Sequence, residues 1–123
     1  MSTILLVDAQ ASRRKLAALT LQQAGHRVVQ GACLRDAPEL ALRHAPALVL
    51  VGVDHGLTDS LRVLRRIKAH PWTCALRLHA LSAQARDRDE ARLRAAGFDG
   101  FMDRPLDYRA LHRYVEAALR ASA

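Results

Sequence analysis

Asp8 closes the apolar run Ile4-Leu5-Leu6-Val7, and Ala9 follows it. A carboxylate in such a place can hold a hard cation or accept from a guanidinium, but one acid alone holds a divalent ion weakly. Gly52 and Asp54-His55 stand at the end of the most apolar run of the chain, residues 47–53. Ser82 follows Leu81, and Asp103-Arg104-Pro105 follow Phe101-Met102. Ser82 with Asp8 and His55 has the residue types of a hydrolytic triad, but no G-x-S-x-G elbow surrounds the serine, so no catalytic residue is assigned. The six histidines, His26, His44, His55, His70, His79 and His112, stand on different segments without ligand spacing and predict no metal site. Cys33 and Cys74 form no C-x-x-C pair and read as buried thiols of a reducing cytoplasm. The run Arg86-Asp87-Arg88-Asp89-Glu90 reads as a solvated helix face.

Groups this far apart act together only if the fold gathers them. Residues 3–7 are a short, unbroken apolar run with β-branched content, the pattern of a strand buried on both faces. A helix follows from Ser12, which can cap it, through Leu16, Leu19 and Leu21 to Ala24, with Gly25 closing it. Val28-Val29 mark a second strand, and residues 34–45 a second helix, carried by Leu34, Ala37, Leu40, Ala41 and Leu42 and stopped before Pro46. Residues 47–53 read as a central strand. Leu61, Val63, Leu64 and Ile67 mark a third helix ending near His70-Pro71. Leu76–Leu81 is a fourth strand containing His79, read as a satisfied core or subsurface histidine rather than a pH switch. Residues 83–96 form a charged fourth helix closed by Gly97, Phe98–Met102 a fifth strand, and Leu106–Leu119 an amphipathic last helix with Leu111, Val115, Ala118 and Leu119 inward. Strand and helix alternate five times without a break, which requires parallel strands joined by crossover helices: a doubly wound α/β sandwich. In such a sheet ligands sit outside the carboxyl ends of the strands, where Asp8, Gly52, Ser82 and Arg104 all fall.

The chain has 123 residues, half of them apolar and a quarter charged. That is one globular domain, not a disordered or collagen-like chain. No apolar run nears the ~20 residues of a membrane span, and the N-terminal segment lacks the basic region and cleavage site of a secretory signal. A cytoplasmic domain without membrane contact is expected. The net charge is +7, and all 19 basic residues but Lys15 and Lys68 are arginine. They are spread over every predicted helix, and aromatics are only 4% of the chain, against the stacking platform of a nucleic-acid binder. A basic nucleic-acid-associated domain stays as an alternative that salt-dependent binding would test.

The residues at the strand ends, with their flanking segments, resemble the receiver domain of two-component response regulators. Ile4-Leu5-Leu6-Val7-Asp8, Gly25-His26-Arg27-Val28-Val29, Pro46-Ala47-Leu48-Val49-Leu50-Val51, Leu61 to Lys68, Ala80-Leu81-Ser82-Ala83, Ala95 to Phe101 and Arg104-Pro105-Leu106 match it in order, over nearly the whole chain. The resemblance implies a (βα)5 flavodoxin-like sandwich with five parallel strands in the order 2-1-3-4-5. It also implies phosphorelay chemistry: two adjacent acids and an acceptor aspartate hold Mg²⁺, the acceptor forms an aspartyl phosphate, and a hydroxyl residue and a lysine contact the phosphoryl oxygens.

At the matching positions this chain has Asp8 but Ala9 for the second acid, Gly52 for the acceptor, Ser82 for the hydroxyl and Arg104 for the lysine; Phe101 matches the switch aromatic. The resemblance therefore points to a degenerate receiver with lost or weak Mg²⁺ binding. Arg104, with its five-donor fork, is expected to pair with Asp8 or with carbonyls of the Gly52 loop, reaching across what should be neighbouring strand ends. Asp54 is the alternative acceptor, but a shift of two residues along a strand end moves a carboxylate ~6–7 Å. The expected role is a phosphorylation-independent regulatory or interaction domain, not an enzyme. Its partner is expected to be a signalling or output domain, or a second copy, docking on the fourth helix, fifth strand and fifth helix through Arg92, Tyr108 and Arg113.

Overall fold

Thr3–Val7 (β1) and Leu48–Val53 (β3) lie side by side, and almost every residue in them is buried. A strand covered on both faces has no polar side to show, which is why both read as unbroken apolar runs. The computed structural model describes residues 2–53, 57–82, 87–103 and 108–121. Arg27–Gly31 (β2) pairs with the free side of β1, Leu78–Ser82 (β4) with β3, and Gly100–Asp103 (β5) with β4. All pairs are parallel, in the order β2-β1-β3-β4-β5. The flavodoxin-like fold expected from the sequence is the fold observed.

Period-two alternation divides the strand side chains between two helical layers. Ile4, Leu6, Leu48, Leu50 and Leu81 pack against Ala11–Gln23 (α1) and Tyr108–Ala121 (α5). Leu5, Val7, Val49, Val51 and Ala80 point the other way, onto Ala37–His44 (α2), Leu57–Ala69 (α3) and Asp87–Ala96 (α4). Each fully buried Leu or Val contributes about 1.5–3 kcal/mol, so the two layers clamp the sheet between them. Gly25 and Gly97 close α1 and α4 with φ of 94° and 116°, a left-handed turn that other residues adopt at a cost.

Several local expectations shift. In α1 the seam is Ala17, Ala18 and Leu21, while Leu16 and Leu19 are about half exposed. Small alanines let the helix axis approach the sheet, and the larger leucines are turned out. The helix starts at Ala11 rather than Ser12, and Gln10 caps it without a side-chain hydrogen bond. Residues 34–36 form a short 3-10 turn ahead of α2, and Leu42 faces outward. The fourth strand begins at Leu78, since residues 71–75 are still turn. Cys33 and Cys74 are exposed, correcting their assignment as buried thiols; both sit in connecting segments outside the two packed layers.

His79 on β4 is buried, with its Nδ1 2.6 Å from the Tyr114 hydroxyl of α5 and the two rings edge-on at 5.3 Å. The pair covers Gly100, its register neighbour on β5, so closely that a β-carbon there would collide with both side chains. Burial lowers the imidazole pKa from its ordinary 6.5; Asp99 opposes that shift, and Arg77 and Arg94 add to it. The neutral ring is therefore the folded form. Its stabilisation is present above pH 6.5 and is lost as pH falls from there through the lower folded pKa, because the unfolded chain takes up the proton first. Urea midpoints measured from pH 7.5 downward should drop below pH 6.5, and His79→Gln should flatten that part of the profile. An identical slope in the variant would refute the assignment.

Candidate functional site

The register of β1 and β3 pairs Val7 with Val51, so the next residues, Asp8 and Gly52, meet at the carboxyl end of the sheet. Asp8 is buried, 3% exposed, and its N–H donates to the Gly31 carbonyl at 3.0 Å. A β-carbon built on Gly52 would lie 2.9 Å from Asp8 Cγ and 3.1 Å from each carboxylate oxygen. The Asp8 carboxylate thus fills the space where a side chain at position 52 would begin.

Arg13, in the first turns of α1, fixes that carboxylate. Its Nη2 donates to Asp8 Oδ1 at 2.9 Å and its Nε to Oδ2 at 3.3 Å, a two-pronged guanidinium–carboxylate pair. The Gln10 N–H also donates to Oδ1 at 3.0 Å, and Arg14 Nη1 donates to the Asp8 carbonyl at 2.8 Å. A buried carboxylate without such donors would be costly. Sequence reading missed Arg13 and Arg14. The available signal was a strand-end aspartate followed by an Arg-Arg pair on the next helix, a spacing that only the β1–α1 turn converts into proximity.

Ala9 is exposed beside Asp8. Ser82 ends β4, in register with Val53 and Asp103. Arg104 and Asp54 lie outside the described residues. The topology corrects one premise of the expected Arg104–Asp8 pairing: β5 is the edge strand, with β4 and β3 between it and β1, so these strand ends are not neighbours. Phe101 is half-buried on β5 against the α2–α4 layer. Tyr108 opens α5, and Arg92 on α4 is exposed. Arg113 is exposed too, and lines a shallow cleft with Arg109 and His112 of α5 and Thr20 of α1. On the same helix Glu116 accepts from His26 at 2.8 Å, which lowers its pKa. Among the described residues no three His, Cys, Asp or Glu side chains gather in a way that could hold a metal, and no helix is long and apolar enough to cross a membrane.

The response regulator of Desulfuromonas acetoxidans superposes with a TM-score of 0.86 at 24% identity, over 98% of each chain. NtrX of Brucella abortus superposes at 0.81 with 27% identity, covering 98% of this chain and 26% of its own. The phosphate regulon transcriptional regulatory protein PhoB of Pseudomonas aeruginosa is 25% identical over 118 residues, 96% of this chain and 52% of PhoB. The chain therefore spans about half the length of that relative. No family model matches it. The architecture is that of a response-regulator receiver domain.

A receiver fold implies Mg²⁺ at the carboxyl ends of β1 and β3. The described residues do not fit that ion. Asp8 is the one acid among positions 8, 9 and 52, and both its oxygens are occupied by donors. The chemistry this arrangement supports is self-neutralisation of a buried carboxylate by a neighbouring guanidinium. Arg13→Ala removes the fork from a buried acid and should destabilise the domain by about 1–3 kcal/mol, read as a lowered urea midpoint at pH 7. An unchanged midpoint would show that other groups carry the charge.

Proposed function

We propose that this receiver domain serves in signal transduction as a regulatory or protein-interaction module that operates without an aspartyl phosphate, and that it has no reaction of its own. The observation that carries this reading is the Asp8 carboxylate resting on Gly52 and forked by Arg13. Where a phosphorylated receiver needs an acceptor and a second acid, glycine leaves no nucleophile and alanine no metal ligand. Ser82 and Phe101, retained at the hydroxyl and aromatic positions, then serve one fixed conformation. Ser82, Ala9, Gly52, Asp8 and Arg104 make up the altered pocket in this reading.

Incubation with acetyl phosphate and Mg²⁺, followed by intact mass, should give no phosphoryl adduct. An adduct mapped to Asp54, or to any other aspartate, would overturn the reading.

The partner is a protein. PhoB is by name a transcriptional regulatory protein, and the matched segment is only part of PhoB and of NtrX, which supports a signalling or output domain as the partner class. The proposed contact is the α4–β5–α5 surface around Arg92, Tyr108 and Arg113, with a second copy as the other candidate occupant. If that face carries association, Arg92→Glu should reduce the solution mass of an oligomer, or binding to a joined output domain, at least as much as Arg113→Glu. Loss with Arg113→Glu alone would move the contact to the α1–α5 side.

A further inference from the structure

On the α2–α3 side of the sheet, next to Ala9, the surface opens into a cleft of about 520 Å³ between the 3-10 turn Leu34–Asp36 and α3. That is within the ~300–1,000 Å³ typical of small-molecule sites. Its apolar lining comes from Ala9, Ala32, Leu34 and Val63. Its charge comes from Arg35 on the turn and from Arg62 and Arg66, one helical turn apart on α3. Among the described residues no carboxylate lines the cleft.

Several cations elsewhere on the surface are already paired. Arg13 pairs with Asp8, Arg43 with Glu39, and Lys68 stands 3.9 Å from Asp99. Arg35, Arg62 and Arg66 have no ion pair among the described residues. Three like charges gathered round one concave, low-dielectric wall raise the local potential and concentrate anions there. A planar guanidinium matches two oxygens of a phosphate at once, while an apolar floor rewards a ligand with an organic body. Ala9 adds to the effect, because a carboxylate at that position would put a negative charge on the wall.

We propose that this cleft binds a small phosphorylated organic molecule of mononucleotide size. Arg62 and Arg66, with Arg35 opposite, hold the phosphate, and the body lies over Leu34 and Val63. This goes beyond the signalling reading above and does not depend on it.

The test is an amide-resolved NMR titration of the whole ¹⁵N-labelled chain with AMP, adenosine and inorganic phosphate in parallel. AMP should shift the amides of residues 32–35 and 62–66 saturably, with a midpoint at or below about 1 mM. Adenosine lacks the charge and phosphate lacks the body, so each should bind at least about tenfold more weakly. Arg62→Glu/Arg66→Glu should raise the AMP midpoint by about tenfold or more while amide dispersion stays native, both side chains being exposed. Arg62→Gln/Arg66→Gln gives the same readout should the reversed charges disturb α3, and Ala9→Asp should weaken AMP in the same direction. AMP binding no better than adenosine, or phosphate binding as well as AMP, would overturn the proposal. So would AMP shifts that map elsewhere, or a midpoint that the arginine variants leave unmoved.

Discussion

Everything in this domain depends on the burial of β1 and β3 between two helical layers. Parallel strands leave their neighbours only through crossover connections, so each strand must feed a helix that returns across one face or the other. With α1 and α5 on one face and α2, α3 and α4 on the other, the inner strands see no water, and their side chains must be apolar on both sides. Polar and charged groups are expelled to the strand ends. The carboxyl edge, where five loops converge, becomes the place where Asp8, Gly52 and Ser82 come together.

At that edge the electrostatics follow from how much charge is buried. Several carboxylates in one pocket repel one another and call for a divalent cation. One buried carboxylate needs only donors. Arg13 and the Gln10 amide supply them from the start of α1, next to Asp8 in sequence, at little conformational cost. The space released by glycine at position 52 is taken up by the same carboxylate. The bare backbone at position 52 and closure of the Asp8 pair are therefore a single packing arrangement, and a side chain at position 52 would first have to displace Asp8.

Helix α5 is fixed by two polar ties in addition to Leu111 and Val115. His26, at the entry to β2, meets Glu116, and His79 on β4 meets Tyr114. They anchor the helix on either side of its buried stripe, to β2 and β4, which have β1 and β3 between them in the sheet. The His79–Tyr114 contact also depends on the bare backbone of Gly100, so a histidine in a core strand, a tyrosine on a helix and a glycine on an edge strand form one unit. A helix held in this way presents its outer surface in one orientation.

The sequence alone determined the fold class, since five apolar runs alternating with helical segments admit one economical arrangement, and the strand-end positions of Asp8, Gly52 and Ser82 followed from it. It also showed which groups stand at positions 9 and 52, because residue identity is the sequence itself. Side-chain partners were another matter. Leu16 and Leu19 satisfy helical periodicity as well as Ala17 and Ala18 do, and only the distance between α1 and the sheet decides that the small residues face inward. Asp8 had several arginines within plausible reach. The β1–α1 turn brings Arg13 onto it. The cleft walled by Arg35, Arg62 and Arg66 joins residues distant in the chain, and neither periodicity nor motif marks them as neighbours. Local pattern encodes which face of an element is apolar; the packing of one element on another decides which charge meets which.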